Sequence, residues 1–353
     1  MVFANISAQL KPYNPWWESS EWYKEDPIIR AFDESTLHDR PRLYYYIKKR
    51  IVREGKYGII TIRGPRRVGK TTLVKLLIKN LLQEASQTVS PQQIFYISLD
   101  YEGLKNVRLI ALLEAIASSS DKEKYIFLDE VSMYPNWAQA LKNAYDEGLI
   151  TKGKLKIVAL GSHSMDLAEA ASKLVGRQGE LAEMFNLGGN LLHRPLRFSE
   201  VAESLLNEIG SFFKASQLLK SGRRFEFLLK LQKGEVAEPL LKAYEEYNNI
   251  LQSIFNQYLI HGGYPHIIDE YNRKGKISSN AYSNLAELLI RDAEHIGLNK
   301  NNFMKLLEIL TEENRLSGVI KPWDLGLVGL DSEAKPTQKI GVEDYLNYLR
   351  TTW

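Results

Sequence analysis

The stretch Gly64-Pro-Arg-Arg-Val-Gly-Lys-Thr-Thr72 decides the fold. It is a complete G-x-x-x-x-G-K-[ST] sequence, with an apolar run from Tyr57 to Ile62 behind it and a helical pattern from Thr72 to Leu82 ahead. A phosphate loop needs that strand and that helix. Glycines 64 and 69 let the backbone bend so that successive N–H groups converge on phosphate oxygens. The helix N-terminus adds its partial positive charge. Gly64, Pro65, Arg66, Arg67, Val68, Gly69, Lys70, Thr71 and Thr72 are therefore expected to wrap the phosphates of a nucleoside triphosphate. Lys70 would reach the β/γ-phosphates and the Thr71 hydroxyl would ligate Mg²⁺. Arg66 and Arg67 either gate the phosphates or are solvated, with at least one expected to be solvated.

Further along, Ile94–Asp100 is an alternating apolar run with β-branched and aromatic residues, Tyr125–Glu130 reads as a buried strand ending in two carboxylates, and Leu155–Gly161 as another strand. Helical patterns lie between them. This βαβα order predicts a parallel sheet with right-handed crossovers, and its chemistry gathers at the carboxyl ends of the strands. Asp129, Glu130 and Ser162 all fall there. Asp129, about sixty residues beyond the loop with one strand between, fits the carboxylate that holds Mg²⁺ opposite Thr71. Glu130 is then placed to polarise an attacking water as general base. No Asn-Lys-x-Asp sequence reads guanine, Asn299-Lys300-Asn301 failing at its last position, and no ABC-type signature occurs. ATP, with ADP as product, is the expected nucleotide.

The loop, the IFLDEV strand with Trp137, Ala138, Leu141 and Lys142 after it, and Leu160-Gly161-Ser162 resemble the archaeal branch of the AAA+ ATPases, similar to the signal-transduction ATPases. Asn14-Pro15-Trp16-Trp17, Leu174-Val175-Gly176-Arg177, the run from Arg194 to Glu200 and Gly262-Gly263-Tyr264-Pro265 agree with it, so the resemblance covers residues 14–298. It implies an α/β P-loop NTPase of AAA+ type, with a parallel five-stranded core sheet in the order 5-1-4-3-2. A helical lid and a small winged-helix-like C-terminal domain would follow. It also implies that Ser162 is the sensor at the end of the fourth strand; Ser164 is a substitute, and helix capping before Met165–Ala171 is the alternative. Arg177, just before a fifth strand expected at Leu191–Phe198, takes the place of an arginine finger or is a surface Arg. Pro265 packs near adenine or simply makes a turn between helices.

With 353 residues, 44% apolar and 25% charged, the chain has the composition of a globular protein of two or three domains. No apolar run approaches the eighteen residues of a membrane span, and the N-terminus has no signal core, so a cytoplasmic location is expected. The absence of cysteine excludes disulfides and thiolate metal sites. The lack of Cys, with abundant Lys, Glu, Tyr and Ile, suits a hot environment. A net charge of +3 does not announce nucleic acid. Lys48, Lys49, Arg50, Arg53 and Lys56 could track a phosphate backbone, but read better as the wet face of a helix that buries Tyr45, Ile47, Ile51 and Val52.

The expected organisation is an aromatic arm over 1–40, the nucleotide-binding core over 41–200, a helical lid over 201–298 and a winged-helix-like region over 299–353, truncated or minimal. The arm holds Trp16, Trp17 and Trp22, too costly to leave wet, and should wrap the core or border the adenine pocket. Helices are expected at Phe225–Leu231 and Leu240–Leu259, with breaks at Gly222, Lys233-Gly234 and Gly262-Gly263. Phe303, Leu306, Leu307 and Leu310 form one helix face, with short helices at Pro322–Val328 and Val342–Leu349. Glu343-Asp344 would repel phosphates, which favours a structural or protein-binding role for residues 301–353. The functional expectation is a Mg²⁺-dependent ATPase acting as a nucleotide-dependent switch, hinged near Ser199, with an unidentified protein partner. The alternatives are a DNA-stimulated oligomeric motor sharing Arg177 between subunits, and a non-hydrolysing ATP-binding scaffold.

Overall fold

Five short apolar segments pair in parallel, in the order β2-β3-β4-β1-β5. They are β1 (Gly58–Arg63), β2 (Ile94–Ser98), β3 (Lys124–Asp129), β4 (Leu155–Gly161) and β5 (Asn190–Leu192). This computed structural model describes residues 7–37, 41–85, 88–104, 107–162, 167, 172–206, 221–236, 238–295, 297–311, 344–346 and 348. The strand order is the 5-1-4-3-2 implied by the resemblance. Every β3 and β4 residue is buried, as expected for a parallel sheet covered on both faces.

Alternation along the strands sorts the core into two layers. Ile59, Phe95, Ile97, Ile126, Leu128, Ile157 and Ala159 face α4 (Leu109–Ala117) and α5 (Trp137–Asp146). Ile60, Ile62, Tyr96, Tyr125, Phe127, Val158 and Leu160 face α2 (Arg42–Ile51) and α3 (Lys70–Glu84). In α2, Tyr44, Ile47 and Ile51 are the buried positions, whereas Tyr45 and Val52 are exposed. The apolar stripe is thus shifted by one residue from the sequence reading at Tyr45. Of the basic residues, Lys49, Arg53 and Lys56 are exposed, whereas the half-buried Lys48 pairs with Glu84 and the half-buried Arg50 donates to the carbonyls of Met184 and Tyr46.

The N-terminal arm covers the exposed edge of β2. Asn14, fully buried, donates to the Tyr96 carbonyl at 2.9 Å and accepts from the Tyr96 N–H at 2.7 Å. The Trp16 and Trp17 indoles both donate to Ile94 O. An unpaired strand edge is a template for wrong pairing, and these side chains close it. Asp26 then caps α1 (Pro27–Asp33) through the N–H groups of Ile28 and Ile29.

Past β5 the chain departs from expectation. The fifth strand ends at Leu192 rather than Phe198, because Pro195 has no N–H for a ladder and Leu196 N donates to Gly263 O instead. Phe198 begins α8 (Phe198–Leu205), after α6 (Leu149–Lys152) and α7 (Gly179–Glu183). The helical region contains α9 (Ser221–Gln232), α10 (Glu238–His261), α11 (Pro265–Lys274), α12 (Ser279–His295) and α13 (Lys300–Thr311). Gly222 lies at the start of α9. Phe303 and Leu306 of α13 are buried against Ile290, Ala293, Tyr345 and Tyr348. Pro322–Val328 lies outside the described residues, and of Val342–Leu349 only 344–346 and 348 are described, as helix. Among the described residues no helix is long and apolar enough to cross a membrane.

Candidate functional site

The site is built where β1, β3 and β4 end. After β1 the chain turns through Gly64–Gly69 and enters α3 at Lys70, two residues earlier than its apolar periodicity starts. Gly64 is dictated by close approach: a Cβ there would lie 2.0 Å from the His193 carbonyl oxygen. His193 also donates its backbone N–H to Arg63 O at 2.7 Å, so the residue after β5 seals the back of the loop. Gly69 has φ +97°, a left-handed conformation that side chains disfavour.

Lys70 is buried and folds back on the loop, donating to the carbonyls of Gly64 and Pro65 at 2.8 and 2.9 Å. Burial pushes its ammonium down to about 8, against the pull of Glu130, Asp129 and Asp292. Thr71 Oγ1 donates to Asp129 Oδ2 at 2.9 Å, across from β3. Tyr96 OH donates to the same oxygen at 2.8 Å, and Asp129 Oδ1 accepts the Glu130 N–H. Glu130 falls just beyond β3 rather than within it, at φ +50°. That is a strained conformation for a residue with a side chain. Its carboxylate accepts from Ser162 Oγ at 3.0 Å, at the end of β4. Burial, and then the Asp129 charge, raise the Glu130 carboxyl above its ordinary value. His163 and Ser164 lie outside the described residues.

Lys70, Thr71, Thr72, Glu130, Ser162, Arg66 and Arg67 line a cavity of about 470 Å³, together with Leu288 of α12. A second cavity, of about 440 Å³, adjoins it and shares Arg67, Gly69 and Thr72. Its walls are mostly apolar: Pro27, Ile28 and Phe32 of the arm, Leu73 and Leu76 of α3, and Pro265 at the start of α11. Val68 is buried beneath the loop against Tyr264 and Ile267. One cavity thus offers charge and N–H donors, the other flat apolar walls, as the phosphates and the base of a nucleotide require.

The donor set also fits Mg²⁺. It joins one carboxylate and one hydroxyl of hard oxygen character beside a phosphate loop. Among the described residues no cluster of three or more His, Asp or Glu could hold a metal by itself.

Arg177 is not brought to this site within one chain. The neighbouring Gln178 carbonyl accepts from Ile59 N, at the start of β1, while the phosphate loop follows the strand's other end. At about 3.3 Å per residue the two ends are roughly 16 Å apart. Arg177 Nε donates instead to Asp146 Oδ1 at 2.8 Å, in an exposed ion pair.

Sequence reading did not find Tyr96, His193 or the Arg66–Asp292 pair. Tyr96 shows only strand alternation, and His193 is a single imidazole without a motif. Burial, and then the Lys70 charge, push His193 down to about 4, so it is neutral. Arg66 Nε donates to Asp292 Oδ1 at 3.0 Å, a partner 226 positions away that no local pattern announces.

Residues 56–201 match a family model described as "AAA domain", and that segment contains the five-stranded parallel sheet and the phosphate loop. Residues 252–353 match a model described as "Domain of unknown function (DUF8612)". No curated protein matches the chain. Among solved structures, the Walker-type ATPase PABY2304 of Pyrococcus abyssi is 14% identical over 89% of each chain, with a TM-score of 0.44. The Orc1 protein of Aeropyrum pernix, in complex with DNA, is 14% identical over 89% of this chain and 84% of its own, with a TM-score of 0.34. Domain III of the Thermotoga maritima replication initiation protein DnaA is 16% identical over 58% and 90%, with a TM-score of 0.31. TM-scores this low leave the fold resting on strand order and phosphate loop.

Proposed function

We propose that the chain is a Mg²⁺-dependent ATPase whose nucleotide state is passed to its C-terminal helices. The observation that carries this is the convergence of Lys70, Thr71, Asp129, Glu130 and Ser162 on one cavity that opens beside an apolar one. ATP would place its base between Pro265 and the arm, and its phosphates along the loop N–H groups. Bound between Thr71 and Asp129, Mg²⁺ would neutralise charge on the β- and γ-phosphates.

Glu130 is the base. Its carboxylate takes a proton from a water as the water oxygen bonds to the γ-phosphorus. The bond to the β–γ bridging oxygen breaks, and ADP leaves with that electron pair. Ser162 orients Glu130, or passes its hydrogen bond to the γ-phosphate once that group is present. Lys70, folded on its own loop carbonyls, exchanges them for phosphate oxygens. Its depressed basicity reflects burial of the ammonium, which the charges of Glu130, Asp129 and Asp292 only partly offset. Arg177 serves a neighbouring copy's site if it acts on phosphate at all.

Steady-state ATP hydrolysis tests the reading, with wild type, Glu130→Gln and Lys70→Ala compared across protein concentration, with and without duplex DNA. Turnover lost in Glu130→Gln with ATP binding kept, and binding lost in Lys70→Ala, supports the ATPase. A flat, slow specific activity supports the switch. A rate that climbs with concentration or DNA supports the motor and a shared Arg177. Binding without turnover in wild type leaves the scaffold.

A further inference from the structure

A phosphate loop works through backbone N–H groups, so its variable positions have no inherent need of charge. Arg66 is charged and already engaged. Its Nε donates to Asp292 Oδ1 at 3.0 Å, with the Asp292 side chain only 5% exposed and that of Arg66 40% exposed. Asp292 sits on α12, one turn beyond Leu288, which lines the phosphate cavity beside Arg66, Lys70, Glu130 and Ser162. The Arg66 charge is felt at both Lys70 and Glu130, and the Asp292 charge at Lys70. An arginine of the loop that lines the same cavity as Glu130 is therefore held by a buried carboxylate of the C-terminal helices.

Resting on the ATPase reading, we propose that Arg66 is the arginine that meets the γ-phosphate within one chain, and that Asp292 sets the preference between triphosphate and diphosphate by competing for it. A guanidinium binds phosphate oxygens through the same fork it offers a carboxylate. The γ-phosphate and Asp292 want the same donor and repel each other at short range in a partly dry site. A diphosphate ends before this point and leaves the Arg66–Asp292 pair intact. A triphosphate draws Arg66 away from the buried Asp292 carboxylate, which loosens the seat of α12 against the loop. Nucleotide state thereby reaches the segment of residues 252–353 through one exchanged ion pair. The discrimination is opposite in sign to that of a cation on the lid, which would hold the triphosphate: Asp292 resists it.

The experiment uses the full chain and direct binding titrations with a non-hydrolysable β,γ-methylene ATP and with ADP. Arg66→Gln is expected to lower the ratio of triphosphate to diphosphate affinity about tenfold, and Asp292→Asn to raise it about tenfold. Hydrogen exchange of the α12 amides in wild type should be faster with the triphosphate analogue than with ADP, and Arg66→Gln should erase that difference. If Arg66→Gln fails to fold, Arg66→Lys replaces it, keeping the charge and losing the fork, with a smaller drop in the same ratio. An Arg66 substitution that weakens both nucleotides equally overturns the inference, as does an Asp292→Asn ratio that is unchanged or lowered. Those outcomes leave the ATPase reading standing. Wild type that binds neither nucleotide, or Lys70→Ala that binds both as wild type does, overturns the two together.

Discussion

Ser162 Oγ donates to Glu130 Oε1 at 3.0 Å, joining the carboxyl ends of β4 and β3, which are adjacent strands in the sheet. The pairing fixes a raised, half-buried carboxyl at the mouth of the phosphate cavity. Glu130→Gln keeps the shape and removes the base, so turnover should fall by about 10²–10⁴-fold with ATP affinity kept. Because the Glu130 carboxyl titrates above its ordinary value and must be ionised to act, wild-type turnover should decline on acidification at a higher pH than an exposed glutamate would give. A pH–rate profile with Mg²⁺ saturating checks it. An acid limb at the ordinary carboxylate value sinks the assignment.

Lys70 gives a second pH dependence of opposite sense. Free, its ammonium titrates at about 8, and only the charged form attracts phosphate. Affinity for ATP should be steady below that value and weaken as pH rises through it, by about tenfold at pH 9 relative to pH 7. Calorimetry in buffers of different ionisation enthalpy should show proton uptake on binding above pH 8. Lys70→Arg, which stays charged, should bind with no such slope.

Tyr96 OH and Thr71 Oγ1 share Asp129 Oδ2 as acceptor. When Thr71 turns to a metal, Tyr96 is the donor left to hold that oxygen. Tyr96→Phe should therefore raise the Mg²⁺ concentration needed for half-maximal tightening of ATP binding by about tenfold, a loss of about 1–2 kcal/mol. ATP affinity in chelator should stay within twofold. Equal loss with and without Mg²⁺ would show that Tyr96 supports only the fold.

Asn14 ties the arm to the β2 edge, and its loss is a matter of stability. Asn14→Ala leaves the Tyr96 N–H and carbonyl without their partner in a buried place, at a cost of about 3 kcal/mol. Urea unfolding should show this as a lower midpoint at constant slope. The same change should loosen the wall that Pro27, Ile28 and Phe32 give the apolar cavity, and weaken ATP binding with it.

Lys75 shows how far the arm reaches. Its ammonium pairs with Asp26 at 3.2 Å and lies 4.6 Å from the Tyr96 ring and 5.2 Å from that of Trp16. Lys75→Ala should destabilise the chain by about 3–5 kcal/mol, since it takes the cation away from the buried Asp26 carboxylate, leaving that charge only its two N–H donors. Lys75→Met, which refills the aromatic surround, still removes the cation beside Asp26 and should recover only the packing part. Thermal unfolding of the two variants separates charge from volume.

Local chemistry made much of this molecule legible in its sequence. A loop of fixed spacing between a strand pattern and a helix pattern leaves few ways to fold, because glycine conformations, N–H direction and helix polarity all act within ten residues. Asp129 and Glu130 were legible for the same reason: a strand of known direction delivers its last residues to the sheet end where the loop sits. Three Trp beside Pro announced an arm that must be buried, although not that Asn14 would close the β2 edge. The sequence by itself determined the sheet, the loop and the carboxylates, since each follows from neighbours along the chain. Only the tertiary structure decided that Arg177 stands at the far end of β1, that His193 seals the loop, and that Asp292 holds Arg66. Those contacts join residues far apart in the sequence, and their energies come from desolvation and charge at close range, which no local pattern encodes.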